Sequence, residues 1–262
     1  MKLTVYRNNI YSNRVPLNAF SDNYSILLDG VDEYINIDAL QSATASNTNG
    51  TISIWVKPVD ATPSSNEFLF SFGDTNADTR ISGFIRTDGT VRFEAKTAGG
   101  IWWRVTTDAA LLSDGTWGHL SFVQDGATPR IDFNGTTPAQ TTTSVSDITY
   151  WFNGIGDIDN GRLGCKNDDS LGNILFFNGN IDDFLYTSDA KTLAQIQDIY
   201  NSGTPKDESG ITNGVSYYLM GDASGDNYNS GVASEWQFID QIGSNNAYTV
   251  NCEEADVETD TP

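Results

Sequence analysis

Carboxylates are the commonest reactive groups in this sequence. Its 262 residues hold 27 Asp and 8 Glu against 14 Lys plus Arg, for a formal charge of −21, with one histidine and two cysteines. Asp oxygens, together with backbone carbonyls, are what hard cations such as Ca2+ take as ligands. Asp157-Ile158-Asp159-Asn160-Gly161 sets acids at alternate positions ahead of a glycine, like the first half of a calcium loop without the distal glutamate of an EF-hand. The competing reading is that such carboxylates hold turns by accepting backbone N–H groups.

Catalysis has less to stand on. His119 is the single histidine and lies inside the alternating stretch Trp117-Gly118-His119-Leu120-Ser121-Phe122-Val123. That setting predicts a structural, core-facing imidazole rather than a general base, and no G-x-S-x-G elbow supplies a nucleophile. Glycoside hydrolysis needs two carboxylates flanking the scissile bond. Glu254-Ala255-Asp256-Val257-Glu258 has the acids, but it sits in an acidic tail with no strand-forming flank after it. The expectation is that the chain is not an enzyme.

Sugar binding asks for exposed aromatic platforms beside polar groups. In Ile101-Trp102-Trp103-Arg104 adjacent strand residues face opposite ways, so one of Trp102 and Trp103 must point outward or be covered. Tyr150 and Trp151, next to a Thr-rich stretch, form a second candidate. Core or subunit-contact packing is the alternative for all four. Cys165 and Cys252 have no metal-type spacing and are expected as buried free thiols. There is no phosphate loop, CxxC or nucleotide fingerprint.

The elements that must position these groups are strands. Ile52, Ile54 and Val56 alternate in one run, and Phe68, Phe70 and Phe72 in another. Turn pairs such as Asp29-Gly30, Asp114-Gly115 and Asp125-Gly126 separate the runs, and Asp88-Gly89 predicts a hairpin. An all-β antiparallel sandwich follows. One helix is predicted at Leu193 to Tyr200, N-capped by Thr192 and stopped by Gly203 and Pro205. Residues 1–20, with Lys2, Arg7 and Arg14, read as a basic arm; Thr136 to Ser146 reads as a long loop; the tail from Glu253 to Pro262 reads as solvated and mobile. A charge of −21 without a basic cluster argues against nucleic acid and anionic membrane surfaces as partners. No apolar run approaches the ~18 residues of a membrane span. Met1 to Asn9 lacks the apolar core of a secretory signal, which predicts synthesis in a cytoplasm.

The order of segments resembles the laminin-G-like domains of the concanavalin A-like lectin/glucanase superfamily. Ser25-Ile26-Leu27-Leu28-Asp29-Gly30 through Tyr34-Ile35-Asn36-Ile37 is similar to the opening strand pair, and Thr51 to Lys57 to the strand with a central Trp. Trp117-Gly118-His119 with Asp125-Gly126 resembles the W-x-H strand and its turn. Arg162-Leu163-Gly164, then Phe177 to Tyr186 with Ile181-Asp182-Asp183, resembles the G-x-I-D-D strand, and Leu193 to Gly203 the closing helix. The resemblance implies a two-sheet jelly roll with one short accessory helix over residues 21–251, an arm at 1–20 and an acidic tail at 252–262. Ser216 to Asp222 and Asp240 to Asn251 look like segments that usually precede the first strand, so residues 215–251 are expected to complete the sandwich in permuted order. The resemblance also implies a structural Ca2+ between the first strand and the I-D-D strand, at Asp29, Asp32, Asp182 and Asp183; the alternate acids Asp157 and Asp159 are a second candidate on their spacing alone.

This permuted layout is similar to virion and tail-associated proteins of tailed bacteriophages. It implies a non-enzymatic virion protein, decorating a capsid or belonging to a tail. Its arm would contact other virion proteins, and it would be a homo-oligomer made in the host cytoplasm. The alternative is a carbohydrate-binding protein that recognises a host surface glycan. A glycoside hydrolase ranks last.

Overall fold

The computed structural model describes residues 20–144, 146–229 and 235–262. In chain order it contains β1 (Ser25–Asp29), β2 (Tyr34–Asn36), α1 (Asp38–Thr44), β3 (Gly50–Pro58), β4 (Glu67–Asp74), β5 (Ala77–Ile85), β6 (Val91–Thr97), β7 (Gly100–Thr107), β8 (Gly118–Gln124), β9 (Arg130–Phe133) and β10 (Gln140–Ser144). These are followed by β11 (Asn160–Leu163), β12 (Lys166–Asn167), β13 (Asn173–Ile174), β14 (Asn178–Thr187), α2 (Leu193–Tyr200), β15 (Gly214–Tyr218), β16 (Asn227–Asn229), β17 (Glu235–Phe238), β18 (Ala247–Val250) and β19 (Val257–Glu258).

Two antiparallel sheets face each other as a jelly-roll sandwich. One has seven strands in the order β19-β1-β14-β3-β8-β9, with β15 also paired to β14. The other has ten, in the order β10-β7-β6-β5-β4-β11-β2-β18-β17-β16. Ile26, Ile52, Ile54, Val56, Phe122 and Ile181 from the first pack against Ile35, Phe70, Phe72, Ile81, Phe93, Trp103 and Val105 from the second. The period-two pattern thus buries one face of each strand. The hairpin at Asp88-Gly89 joins β5 to β6 as its turn residues predict, with Gly89 at φ 74.

Phe68 departs from the expected face. The β4–β5 register slips between Phe68 and Phe70, so Leu69 bulges. One extra residue reverses the alternation. Phe70 and Phe72 enter the core, while Phe68 stacks on Phe84 at 4.5 Å outside it.

α2 begins and ends near the predicted points. The Thr192 hydroxyl accepts from the Gln195 N–H, the Gln195 side chain accepts from the Thr192 N–H at 2.9 Å, and Asn201 at φ 45 closes the helix. Eight residues are too few for a helix to persist alone. It is held by Ile196 and Ile199, which pack with Val123, Leu185 and Tyr217 on the outer side of the seven-stranded sheet.

Three segments differ from expectation. α1 was not visible as a period, being only seven residues; it buries Leu40 and Thr44. The Thr-rich stretch contains β10, an edge strand paired with β7 through backbone groups that any side chain permits. The acidic tail docks rather than floating free. β19 pairs with β1, and the Asp260 carboxylate meets Lys57 and the Trp117 indole N–H. Residues of the segment 215–251 contribute β15 to the first sheet and β17 and β18 to the second. Residues 1–19 of the expected arm lie outside the described residues.

Candidate functional site

The aromatic candidate lies where the β6–β7 register shifts, between Ala95 and Lys96. β7 points Trp103 and Val105 into the core and Arg104 outward, whereas Trp102 is the extra residue of a bulge: Trp103 pairs with Ala95 and Ile101 with Lys96, and Trp102 packs against the edge of the core. Trp102 is half-buried and stacks on Tyr150 with centroids 3.9 Å apart and planes at 4°. Its indole N–H donates to the Thr97 hydroxyl at 2.9 Å, which fixes the ring. Trp103 and Trp151 are fully buried core residues, and the Trp103 indole N–H donates to the Tyr150 carbonyl at 2.8 Å. The four predicted aromatics thus divide into a half-buried stacked pair, Trp102 and Tyr150, and two fully buried residues, Trp103 and Trp151.

The outer face of the ten-stranded sheet is rich in cations. Arg80 pairs with Asp78 at 2.8 Å, Glu94 at 2.7 Å and Asp168 at 2.5 Å. Arg104 shares Glu94 at 2.7 Å, Lys96 shares Asp78, and Lys166 shares Asp168. Lys166 and Asp168 come from the β12–β13 segment, which the network fastens over β4 and β5. Arg92 makes no ion pair among the described residues. Its Nε donates to the Thr106 hydroxyl at 3.0 Å, and its guanidinium lies 5.8 Å from the Phe84 ring centre. Burial, then the charges of Arg104 and Arg86, push its pKa down to about 10. This face was missed in the sequence, although alternate charges in Arg92-Phe93-Glu94-Ala95-Lys96 were a legible signal.

The expected calcium set does not assemble. Asp29 lies opposite Asn178, four residues along β14 from Asp182, or about 13 Å at strand rise. Its carboxylate accepts from the backbone N–H of Val31 at 2.7 Å and of Asp32 at 3.3 Å, and Asp32 is exposed. Asp159 accepts from the Thr75 N–H and hydroxyl, and Asp157 is exposed at φ 67. In these places the turn-holding reading prevails.

A different carboxylate joins the I-D-D pair. Oxygens of Asp22, Asp182 and Asp183 all lie within 4.8 Å of one another. Ordinary alternation would send Asp182 and Asp183 to opposite faces. The β14–β3 register shifts between Asp182 and Leu185, and Asp183 takes φ 44, which brings the two together. Asp182 is fully buried and its Oδ2 has no hydrogen-bond partner. Asp183 accepts from the Tyr217 hydroxyl at 2.6 Å. Burial, then Asp183 and Asp22, hold the Asp182 carboxyl well above its usual range. Asp22 is pushed up to about 6, chiefly by burial. An orphaned buried oxygen among three carboxylates fits a hard cation. Asp22 escaped the sequence reading because it sits at the root of the expected arm.

No catalytic constellation forms at the predicted places. His119 is fully buried, 2.6 Å from the Ser53 hydroxyl, and burial pushes it down to about 3, so it is neutral. Its Nδ1 has no partner, hence no acid orients it. Glu254 and Asp256 lie in a 3-10 turn, while Glu258 accepts from the Asn180 amide on β19. The three acids do not share one strand face.

A family model described as the concanavalin A-like lectin/glucanases superfamily matches residues 29–197. Among solved structures, the CBM40 of a Ruminococcus gnavus IT-sialidase, bound to α2,3-sialyllactose, is 18% identical with a TM-score of 0.55; the match covers 67% of this chain and 96% of that one. A Streptococcus pneumoniae NanB sialidase is 19% identical at TM-score 0.56, over 82% of this chain and 32% of that one. A leech intramolecular trans-sialidase is 18% identical at TM-score 0.57, over 71% and 29%. The chain thus spans under a third of either sialidase. A comparison with curated proteins finds no match.

Proposed function

The chain belongs to the concanavalin A-like lectin/glucanase superfamily, and we propose that it is a non-catalytic glycan-binding module. The observation that carries this is the Trp102–Tyr150 pair, stacked and half-buried at the bulge in β7, where both rings pack against the edge of the core. Aromatic faces pack on the apolar faces of sugar rings, and neighbouring polar groups supply orientation. The similar R. gnavus module, bound to sialyllactose, supports a sugar ligand. That support favours the carbohydrate-binding alternative over the virion-structural reading. Display on a virion remains a proposal about setting: it would repeat the module many times and turn weak glycan contacts into firm adhesion. Asp22, Asp182 and Asp183 would hold a structural Ca2+ that ties the lead-in to β1 onto β14.

A glycan array tests the reading. The intact chain is expected to give hits that Trp102→Ala and Tyr150→Ala both remove while circular dichroism keeps its native form. An array without hits, or hits that survive both substitutions, would overturn it.

A further inference from the structure

We propose that a cavity beside α2 binds a small aliphatic diamine, with one ammonium on Glu208 and the other at the rim carboxylates Asp198 and Asp207. The cavity lies between α2 and the connection that leads on to β15, and its volume is about 450 Å3, ample for a small molecule. Such a site needs neither the Trp102–Tyr150 pair nor a glycan.

Glu208 is the group that lacks a partner. It is 8% exposed, and its Oε1 is buried with no hydrogen bond. The Lys206 ammonium stands 3.5 Å from Oε1, too far for a strong hydrogen bond, and is already spent on Asp198 at 2.7 Å. Lys191, at the same cavity, is tied to Asp189 at 2.8 Å and to the Thr212 carbonyl at 2.6 Å. Burial holds the Glu208 carboxyl above its usual range, and Lys206 only partly offsets that. A carboxylate taken out of water without a donor is costly, so an incoming cation that carries N–H groups is favoured there.

Charge and shape specify the ligand. Asp189, Asp198, Asp207 and Glu208 stand against Lys191 and Lys206, which leaves an excess of negative charge at this place. Asp198 and Asp207 are exposed at the rim, whereas Glu208 lies inside. Asp198, Asp207 and Glu208 do not form a close-set group of the kind one metal ion needs; among the described residues those groups are Asp22 with Asp182 and Asp183, and Glu33 with Cys252 and Asp256. Separated carboxylates suit separated ammonium groups, each with three N–H donors. Ile199 and Ile211 line the same cavity and offer an apolar wall on which a short alkyl chain can lie, as lysine stems do on protein surfaces.

The test uses the full chain and calorimetry with diaminobutane and diaminopentane, against butylamine and butanediol. The diamines should bind one per chain, butylamine several-fold more weakly, and butanediol not at all. Glu208→Gln should weaken diamine binding at least about tenfold, the size of one charge-assisted hydrogen bond, with an unchanged melting temperature. Asp207→Asn, at the exposed rim, should weaken it several-fold and serves as the second variant should Glu208→Gln not fold. Diamine binding left intact by Glu208→Gln, or by Asp207→Asn in that second case, is counter-ion gathering on an acidic surface and overturns the inference. Butylamine or butanediol binding as tightly as the diamines overturns it as well, and so does an absence of diamine binding.

Discussion

Glu94→Gln offers a sharp test of how the cationic face is built. Glu94 is 1% exposed and its two oxygens are divided between Arg80, 9% exposed, and Arg104, 27% exposed. Removing one partner of a buried ion pair costs about 3–5 kcal/mol, because a charge is left uncompensated. Two features reduce this here. Arg80 retains Asp168 and Asp78, and Arg104 can turn toward water. Gln preserves the shape but turns an amide N–H toward guanidinium donors. The expected loss is therefore about 2–3 kcal/mol. For a domain of this size that lowers the melting temperature by roughly 4–12 °C. Urea denaturation should show a lower midpoint with an unchanged slope. The pair Glu94→Gln and Arg104→Gln should couple by about 0.5–3 kcal/mol in a double-mutant cycle. A loss below about 1 kcal/mol, with no coupling, would mean these are ordinary surface ion pairs. Glu94 would then not hold Arg80 and Arg104 in one buried network.

Other outcomes follow from the same geometry. Ca2+ at 100 times its dissociation constant should stabilise the protein by about 2.7 kcal/mol, and Asp182→Asn should abolish that response; a melting temperature indifferent to both Ca2+ and chelator would remove the cation site. Glu67, raised to about 7 chiefly by burial, contributes stability that is full below its ordinary 4.5 and lost as pH rises through 7. Between those values the wild type should lose stability relative to Glu67→Gln, and parallel pH profiles would refute the assignment. A chain ending at residue 206 lacks β15 through β19 and should not fold cooperatively; a soluble, cooperative fragment would overturn the permuted-completion proposal.

The fold was legible because its cause is periodic. Alternation in β3, the Asp88-Gly89 turn and the cap at Thr192 are local signals, and each appears where it was expected. The errors share another cause. Phe68 was assigned to the core because alternation assumes an unbroken ladder, and a bulge at Leu69 is decided by how β4 meets β5. Likewise the irregularity near Asp183 recruits Asp22 in place of Asp29, a tertiary choice that no spacing within the I-D-D motif encodes. Trp102 was separable from Trp103 only as one of two. Trp103 lies opposite the core residue Ala95, while a register shift with β6 leaves Trp102 in a bulge against the edge of the core, a tertiary detail that alternation does not encode.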